Sequence, residues 1–263
     1  MSDPFKFFDA IYCINLDSRP DRWEEVTREF TAIGIIDRVE RVPGIEHAKP
    51  QEGCRLSHVE CVRRASAAGA ETALIFEDDV TMPHFSPELL TRAIEQLRAI
   101  PDWELFFFGG RVRTRPAERY ENLFRARFTQ SHAYAIHRRA FAKLERSYPP
   151  IDVFYADKLK SYGAQPMLAW QRDGFSDIQH VLTSRANIAN REYARLVLTP
   201  NYDGVVREVL ERRMRGHMLR LRIQRYIGQQ LNRLASRVGL IWRRRPGRRP
   251  SALKLTRSRE ESE

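Results

Sequence analysis

The chain has 263 residues, of which 42% are hydrophobic and 10% aromatic. This composition excludes a disordered or collagen-like protein and suffices for one α/β domain with an extension, or for two small domains. The net charge of +11 comes from the tail, because residues 1–204 carry 28 Lys and Arg against 29 Asp and Glu, whereas residues 205–263 carry 17 against 5. The body of the chain is therefore electrostatically ordinary.

The chain contains three cysteines, Cys13, Cys54 and Cys61. An odd number without a Cys-x-x-Cys pair argues against a disulfide framework and for a reducing compartment such as the cytoplasm. Cys54, His58 and Cys61 recur at helical spacing and could bind zinc, although no fourth ligand is evident nearby; the alternative is that the cysteines are small buried apolar residues. No apolar stretch approaches the length of a membrane span, and no signal peptide is expected.

The first predicted elements are a strand over residues 9–17 and a helix that ends near Phe30. Asp17 or Ser18 can cap this helix. Arg19 and Arg22 lie at the same turn, where they could bind a phosphate with the help of the helix N-terminus or could simply be solvated.

A second strand is predicted over residues 38–45, and a second helix from Gly53 to about Ala68. Ser57 and His58 would then lie near the N-terminus of that helix, where a hydroxyl and backbone N–H groups can face an anion. A structural hydrogen bond is the alternative role for His58.

The most informative stretch lies at residues 73–80, where four apolar residues precede Glu77, Asp78 and Asp79. Such a run predicts a buried strand, and ligands bind at the carboxyl ends of strands in open α/β sheets. Three adjacent carboxylates repel one another unless a cation offsets their charge. Mg²⁺ or Mn²⁺ held together with a substrate's phosphates would do so, and a solvated acidic turn is the alternative.

Strands and helices continue to alternate towards the C-terminus, which predicts an α/β fold with a mixed, mostly parallel sheet flanked by helices. The predicted elements are a helix over 87–100, strands over 103–108 and 131–136, a helix over 138–147, a connector over 148–154 that carries Asp152, and a strand over 166–171. An arginine-rich segment over 111–127 could be a flexible loop above an anionic ligand or an exposed surface.

Six motifs, in this order, resemble glycosyltransferase family 25, which includes lipopolysaccharide-biosynthesis and collagen galactosyltransferases. They are Tyr12-Cys-Ile-Asn-Leu-Asp17 with Arg19 and Arg22, Gly53-Cys-x-Leu-Ser-His58, Ile75-Phe-Glu-Asp-Asp-Val80, His132-Ala-Tyr-Ala-Ile136, Pro150-Ile-Asp152 and Phe175-Ser-Asp-Ile178. The resemblance implies a GT-A-like fold, a UDP-sugar donor such as UDP-galactose, and a saccharide or lipid-linked saccharide acceptor, as in lipopolysaccharide synthesis. The segment between Gly44 and Gly53 is shorter than in many relatives, so the acceptor could differ.

The resemblance also implies roles for individual residues. Asp79 would be the first ligand of Mn²⁺ or Mg²⁺, Glu77 or Asp78 would reach the metal or the ribose, and His180 would be a further metal ligand. Asp152 would be the base of an inverting transfer, with a capping acid as the alternative. Donor binding would involve Asn15, Arg19, Arg22, Ser57 and His58 in addition to the acids.

Three segments are predicted: a catalytic domain over 1–204, a basic amphipathic helical extension over 205–242 and a disordered basic tail over 243–263. Residues 205–245 could lie on an anionic membrane surface, at the inner face of the membrane, or the helix could dock on the catalytic body. The run over 243–249 is basic, but no nucleic-acid motif accompanies it. The rival function is a non-catalytic adaptor that retains the fold and binds through its tail.

Overall fold

The computed structural model describes residues 3–83, 85–114 and 116–172, together with four short strands farther along the chain. The chain divides into two units, residues 1–202 and 203–263. The helices of the first unit are α1 (Pro20–Ala32), α2 (Pro50–Ala67), α3 (Pro87–Arg98), α4 (Phe141–Glu145) and α5 (Ile151–Lys158). Its strands are β1 (Ala10–Asn15), β2 (Val39–Pro43), β3 (Thr72–Glu77), β4 (Val80–Thr81), β5 (Leu105–Phe107), β6 (Arg111–Val112), β7 (Glu118–Arg119), β8 (Leu123–Arg125), β9 (Phe128–Thr129), β10 (Ala133–His137), β11 (Ser161–Ala164), β12 (Trp170–Gln171), β13 (Phe175–Ser176) and β14 (Val181–Leu182).

An eight-stranded sheet forms the centre of this unit, in the order β2-β1-β3-β10-β5-β11-β8-β7. β1 runs parallel to β2 and β3, and β5 runs parallel to β11, whereas β10 and β8 are antiparallel to their neighbours. The sheet is thus mixed, with most strands in one direction and helices on both faces. The fold class that the sequence indicated is confirmed for this unit.

The two faces of the sheet carry separate apolar cores, because successive side chains of a strand point to opposite sides. In β3, Ala73 and Ile75 pack with residues of α2, α4 and α5, while Leu74 and Phe76 pack with residues of α1 and α3. All four are fully buried. The apolar run in the sequence is therefore the central strand of a sheet that is covered on both sides.

Two helix starts differ from the prediction. α1 has Arg19 at its N-cap position without a side-chain capping bond, so neither Asp17 nor Ser18 caps it. α2 begins at Pro50 rather than at Gly53, since proline is well suited to the first helical position. Ser57 and His58 consequently lie two turns inside the helix, not at its N-terminus.

The region around Asp152 also differs from the prediction. Asp152 lies in the first turn of α5, not on a connector, because Pro150 sits at the N-cap and the following residues continue as a helix. The strand β11 was not predicted, since Ser161–Ala164 lacks the β-branched pattern of a strand. An added Cβ at Gly163 would lie 2.5 Å from the ring of Phe128, so this strand is shaped by close packing.

The arginine-rich segment is largely ordered into short strands. β6 pairs with β9, and β7 pairs with β8, both in antiparallel fashion. Arg125 forms an ion pair with Glu118 across the second pair, with 2.5 Å between Nη1 and Oε1. Where it is described, this segment is therefore better viewed as two strand pairs than as a flexible loop.

In the second unit, the structure describes two strands, β15 (Leu240–Trp242) and β16 (Leu255–Arg257), which pair in antiparallel fashion. The strand at 240–242 falls within the last residues of the predicted helix. The rest of the predicted extension and tail lies outside the described residues. Among the helices that are described, none combines the length and the apolar character needed to cross a membrane.

Candidate active site

The three acids follow β3 at the edge of the sheet where β1 also ends. The register pairs Ile14 with Glu77, so Asn15 reaches the level of the acids. β10 runs antiparallel to β3, and Ser131 and His132, just before its first residue, therefore come to the same edge. Strand polarity thus brings together side chains that are far apart in sequence. We call Glu77, Asp78 and Asp79 the acidic turn.

Asp78 is neutralised within the protein. Asn15 donates a hydrogen bond from Nδ2 to Oδ2 of Asp78 at 2.7 Å, and Arg22 forms an ion pair with Oδ1 at 3.1 Å. Asp78 is 6% exposed. Burial raises the pKa of Asp78 above its usual value, although Asn15 and Arg22 act in the opposite direction. Both oxygens of Asp78 therefore have protein partners.

Asn15 itself is completely engaged. Its Nδ2 also donates to the carbonyl oxygen of Arg19 at 2.9 Å, and its Oδ1 accepts from Arg41 at 2.9 Å. Arg19 forms an ion pair with Asp21 at 2.8 Å. The turn between β1 and α1 is therefore held against the acidic turn by a continuous set of polar contacts.

Asp79 has one carboxylate oxygen with a partner and one without. Gln171 donates from Nε2 to Oδ2 of Asp79 at 2.9 Å, and the pairing of β4 with β12 places Gln171 there. Oδ1 of Asp79 is buried and has no hydrogen-bond partner among the residues that the structure describes. Burial, and then the charge of Glu77, raises the pKa of Asp79 to about 7. A buried orphan oxygen beside a second carboxylate fits a divalent cation, which takes oxygen ligands and would offset both charges.

The side chain of Glu77 also lies next to α2. Ser131 donates to its Oε1 at 2.6 Å, and Nε2 of His58 lies 3.3 Å from the same oxygen, within ion-pair distance. Burial disfavours ionisation of Glu77, but the neighbouring His58 and Ser131 outweigh it, and the pKa of Glu77 falls below its usual value. Glu77 is therefore ionised at neutral pH.

His58 is held by two tyrosines. Its Nδ1 lies 3.0 Å from the hydroxyl of Tyr134, which in turn lies 2.5 Å from the hydroxyl of Tyr155. The three side chains are buried, and Tyr155 packs edge-on against the imidazole ring. A structural role for His58 and a chemical one are thus both compatible with the geometry. Ser57 accepts from the backbone N–H of Ile45 and donates to the carbonyl oxygen of Gly53.

Asp152 is connected to Asp79 through two glutamines. The backbone N–H of Gln130 donates to Oδ2 of Asp152 at 3.3 Å, and its side-chain Nε2 donates to Oε1 of Gln171 at 2.8 Å. Gln130 adopts a φ of 71°, in the left-handed region that non-glycine residues rarely occupy. Such strain often marks functional sites. The chain of contacts brings the predicted base and the predicted metal ligand into one polar cluster.

Several of these residues were missed from the sequence. Tyr134 lies in a buried strand, and its hydroxyl must find a partner there, which could have signalled its role. Gln130 and Gln171 have no local signature, because their roles depend on the strand pairings. Of the Phe175-Ser-Asp-Ile178 motif, the structure describes only the backbone of Phe175–Ser176. His180 lies outside the described residues.

Comparison with known proteins identifies the family of this chain. The model of glycosyltransferase family 25 (LPS biosynthesis protein) matches residues 3–146, more than half of the sequence. The chain belongs to glycosyltransferase family 25. A glycosyltransferase 25 family member of Aedes aegypti is 25% identical over 127 residues, and mouse procollagen galactosyltransferase 2 is 27% identical over 129 residues. These matches cover 38% and 39% of the chain but only 21% of each relative.

Solved structures show weaker similarity. A197 from STIV has a TM-score of 0.42 at 12% identity, with coverage of 66% of this chain and 91% of that one. The mannosyltransferase PcManGT from Pyrobaculum calidifontis, solved in complex with GDP-Man and Mn²⁺, has a TM-score of 0.39 at 14% identity, with coverage of 77% and 67%. Scores of this size carry no argument about function.

Proposed function

We propose that the protein is a metal-dependent glycosyltransferase that moves a hexose from a UDP-sugar to a hydroxyl group of a saccharide or lipid-linked saccharide. The observation that carries the proposal is the acidic turn at the carboxyl end of β3, in a chain that belongs to glycosyltransferase family 25. Galactose is the sugar we expect, because one of the relatives is named a galactosyltransferase. Lipopolysaccharide is the acceptor class that the family description suggests.

Asp79 and Glu77 are the residues that would hold Mn²⁺ or Mg²⁺. The orphan Oδ1 of Asp79 is available as a ligand, whereas both oxygens of Asp78 are engaged by the protein. A bound divalent ion supplies positive charge where the leaving diphosphate becomes more negative. We assign Asp78 to the support of the site, since Asn15 and Arg22 already occupy its carboxylate. Any role of His180 remains a prediction.

Asp152 is the proposed base for the acceptor hydroxyl. An inverting transfer needs a carboxylate that accepts the hydroxyl proton as the oxygen attacks the anomeric carbon. Asp152 has one oxygen bonded to the backbone of Gln130, a contact that orients the carboxylate, and it lies in the same polar cluster as Asp79.

The proposal is tested by the melting temperature of the full chain against a panel of nucleotide sugars, with Mn²⁺ and with chelator. A ligand selective for the folded state raises the melting temperature, by mass action. We expect UDP-galactose to stabilise the protein only when Mn²⁺ is present, and we expect UDP release when a saccharide acceptor is added. A protein that binds no nucleotide sugar and releases no UDP under either condition would be the adaptor instead.

A further inference from the structure

A second cluster of metal-binding side chains lies on the α2 side of the acidic turn. Sγ of Cys54, a ring nitrogen of His58 and a carboxylate oxygen of Glu77 all lie within 4.8 Å of one another. Cys54 and His58 are separated by one helical turn of α2, and Glu77 is the last residue of β3. We call these three residues the Cys-His-Glu cluster.

The spacing of the sequence had suggested Cys54, His58 and Cys61 as zinc ligands. The structure instead places Cys61 in the apolar core, packed among residues such as Tyr12 and Val62, where it is fully buried. Glu77 takes the third position. The cluster is therefore built from a helix and a strand, and local sequence spacing could not identify it.

The imidazole of His58 is oriented as metal-binding histidines are. Its Nδ1 is hydrogen-bonded to the hydroxyl of Tyr134, which leaves Nε2 directed at Glu77. When Tyr134 accepts from Nδ1–H and donates to Tyr155, Nε2 carries a free lone pair. Nε2 belongs to a residue that is 1% exposed, and Oε1 of Glu77 lies 3.3 Å from it. A cation bound between Nε2 and this carboxylate would interact favourably with both groups.

The distances suit a tetrahedral ion. Bonds from zinc to nitrogen and oxygen are about 2.0 to 2.2 Å, so two ligand atoms in a tetrahedral site lie roughly 3.3 to 3.5 Å apart. Nε2 of His58 and Oε1 of Glu77 are separated by 3.3 Å. Ser131 donates to the same carboxylate and fixes its orientation, as supporting residues of metal sites do. Sγ of Cys54 lies within 4.8 Å of a ring nitrogen of His58 and of a carboxylate oxygen of Glu77.

We propose that Cys54, His58 and Glu77 form a binding site for zinc or a similar transition metal, distinct from the Mn²⁺ or Mg²⁺ site proposed at Asp79. Thiolate and imidazole are ligands that zinc prefers, whereas Mn²⁺ and Mg²⁺ prefer carboxylate and phosphate oxygens. Three protein ligands leave a position for water or another ligand. The two sites share Glu77, so occupation by zinc is expected to affect the sugar-transfer site next to it.

Cobalt is the probe for the test, because it replaces zinc and absorbs light when a thiolate binds it. The chelator-stripped full chain, titrated with Co²⁺, should develop a thiolate charge-transfer band and visible bands of tetrahedral intensity at one equivalent. Zn²⁺ should remove them. The Cys54→Ala variant should lose the charge-transfer band. Cys61→Ala, on the same helix but outside the cluster, should keep it. A wild-type protein without the band, or a band that survives in Cys54→Ala, would overturn the proposal.

A second measurement uses the unaltered protein and does not depend on a variant that folds. Cys54 is half-buried, while Cys13 and Cys61 are buried. Labelling of Cys54 by N-ethylmaleimide, followed by peptide mass analysis, should slow at least tenfold when Zn²⁺ is added. An unchanged labelling rate would count against the site.

The Asp79→Asn variant separates this proposal from the proposed function. It should lose Mn²⁺-dependent UDP release and keep the Co²⁺ band of the wild type. Retention of the band without any transferase activity in the wild type would leave the Cys-His-Glu site standing and refute the proposed function. Loss of the band in Asp79→Asn would mean that the two sites are one, and the proposal of a distinct zinc site would be wrong.

Discussion

Asn15, the last residue of β1, donates a hydrogen bond of 2.7 Å to Asp78, the middle residue of the acidic turn. The contact gives Asp78 an environment different from those of its two acidic neighbours. Asp78 is bound to the protein, Asp79 has an orphan oxygen, and Glu77 points towards α2. Three consecutive carboxylates can coexist at one sheet edge because each has a different environment.

The ion pair between Arg22 and Asp78 should matter for stability. Arg22→Met leaves Asn15 as the side-chain partner of Asp78 among the described residues, and the loss of one partner from a mostly buried pair costs about 2 to 3 kcal/mol. Urea unfolding measures the difference. The matched control is Arg38→Met, which breaks a more exposed pair with Asp3 and should cost less than about 1 kcal/mol. Equal losses in the two variants would contradict the assignment of Asp78 as a supporting residue.

The stability difference between Asp79→Asn and wild type should depend on pH. The pKa of Asp79 is about 7 in the folded protein, against 3.8 for an ordinary aspartate. Between these values Asp79 holds a proton in the folded protein that it has lost in the unfolded chain, so the contribution of Asp79 to wild-type stability falls as pH rises through this window. Asparagine does not titrate. In the presence of chelator, the free energy of unfolding of the variant relative to wild type should increase by on the order of 3 kcal/mol between about pH 4 and pH 7. It should not increase further at higher pH.

The variant must be compared with wild type because His132 also changes its protonation on folding. Burial lowers the pKa of His132 to about 4. Its imidazole therefore stays neutral in the folded protein at pH values where it binds a proton in the unfolded chain. Its contribution to stability therefore rises with pH from about 4 to about 6.5, opposite in sign to that of Asp79. Both proteins contain His132, and its effect cancels in the comparison. A stability difference that does not change with pH would contradict the environment assigned to Asp79.

Asp152→Asn should reduce the transfer rate without unfolding the protein. Loss of a general base typically costs a factor of about 10² to 10⁴, and asparagine keeps the hydrogen bond from Gln130. The matched control is Asp157→Asn on the same helix, whose side chain is 46% exposed and pairs with Arg127 at 3.8 Å. UDP release with donor, Mn²⁺ and acceptor measures both. Similar rates for Asp152→Asn and wild type would show that another group takes the proton.

Gly53→Ala should disturb the start of α2 and the residues that it positions. An added Cβ would lie 2.3 Å from the carbonyl oxygen of Ile45, a backbone atom that cannot rotate away. Overpacking of this kind costs about 1 to 3 kcal/mol or more. Gly69→Ala is the control, since nothing lies within 4 Å of the added carbon and only its φ of 70° is unfavourable. We expect the larger fall in melting temperature, together with weaker Co²⁺ binding, for Gly53→Ala.

Much of the framework could be predicted from local sequence. The apolar run of β3 and the periodicity of α1 and α3 are patterns within single segments, and burial on one or both sides produces them directly. The location of the acids at the carboxyl end of β3 followed in the same way. Asp152 was assigned to the wrong local structure. The two prolines before it suggested a connector, but proline is also favoured at the start of a helix.

The amino-acid sequence by itself determined which acids lie at the edge of the sheet and, through its motifs, the family. Only the tertiary structure decided which side chains each acid contacts. Asn15 meets Asp78 across 63 residues, and Gln171 meets Asp79 across 92. Strand register and polarity set these contacts, and the third ligand of the Cys-His-Glu cluster comes from β3 for the same reason. Local periodicity carries no information about which distant side chains meet.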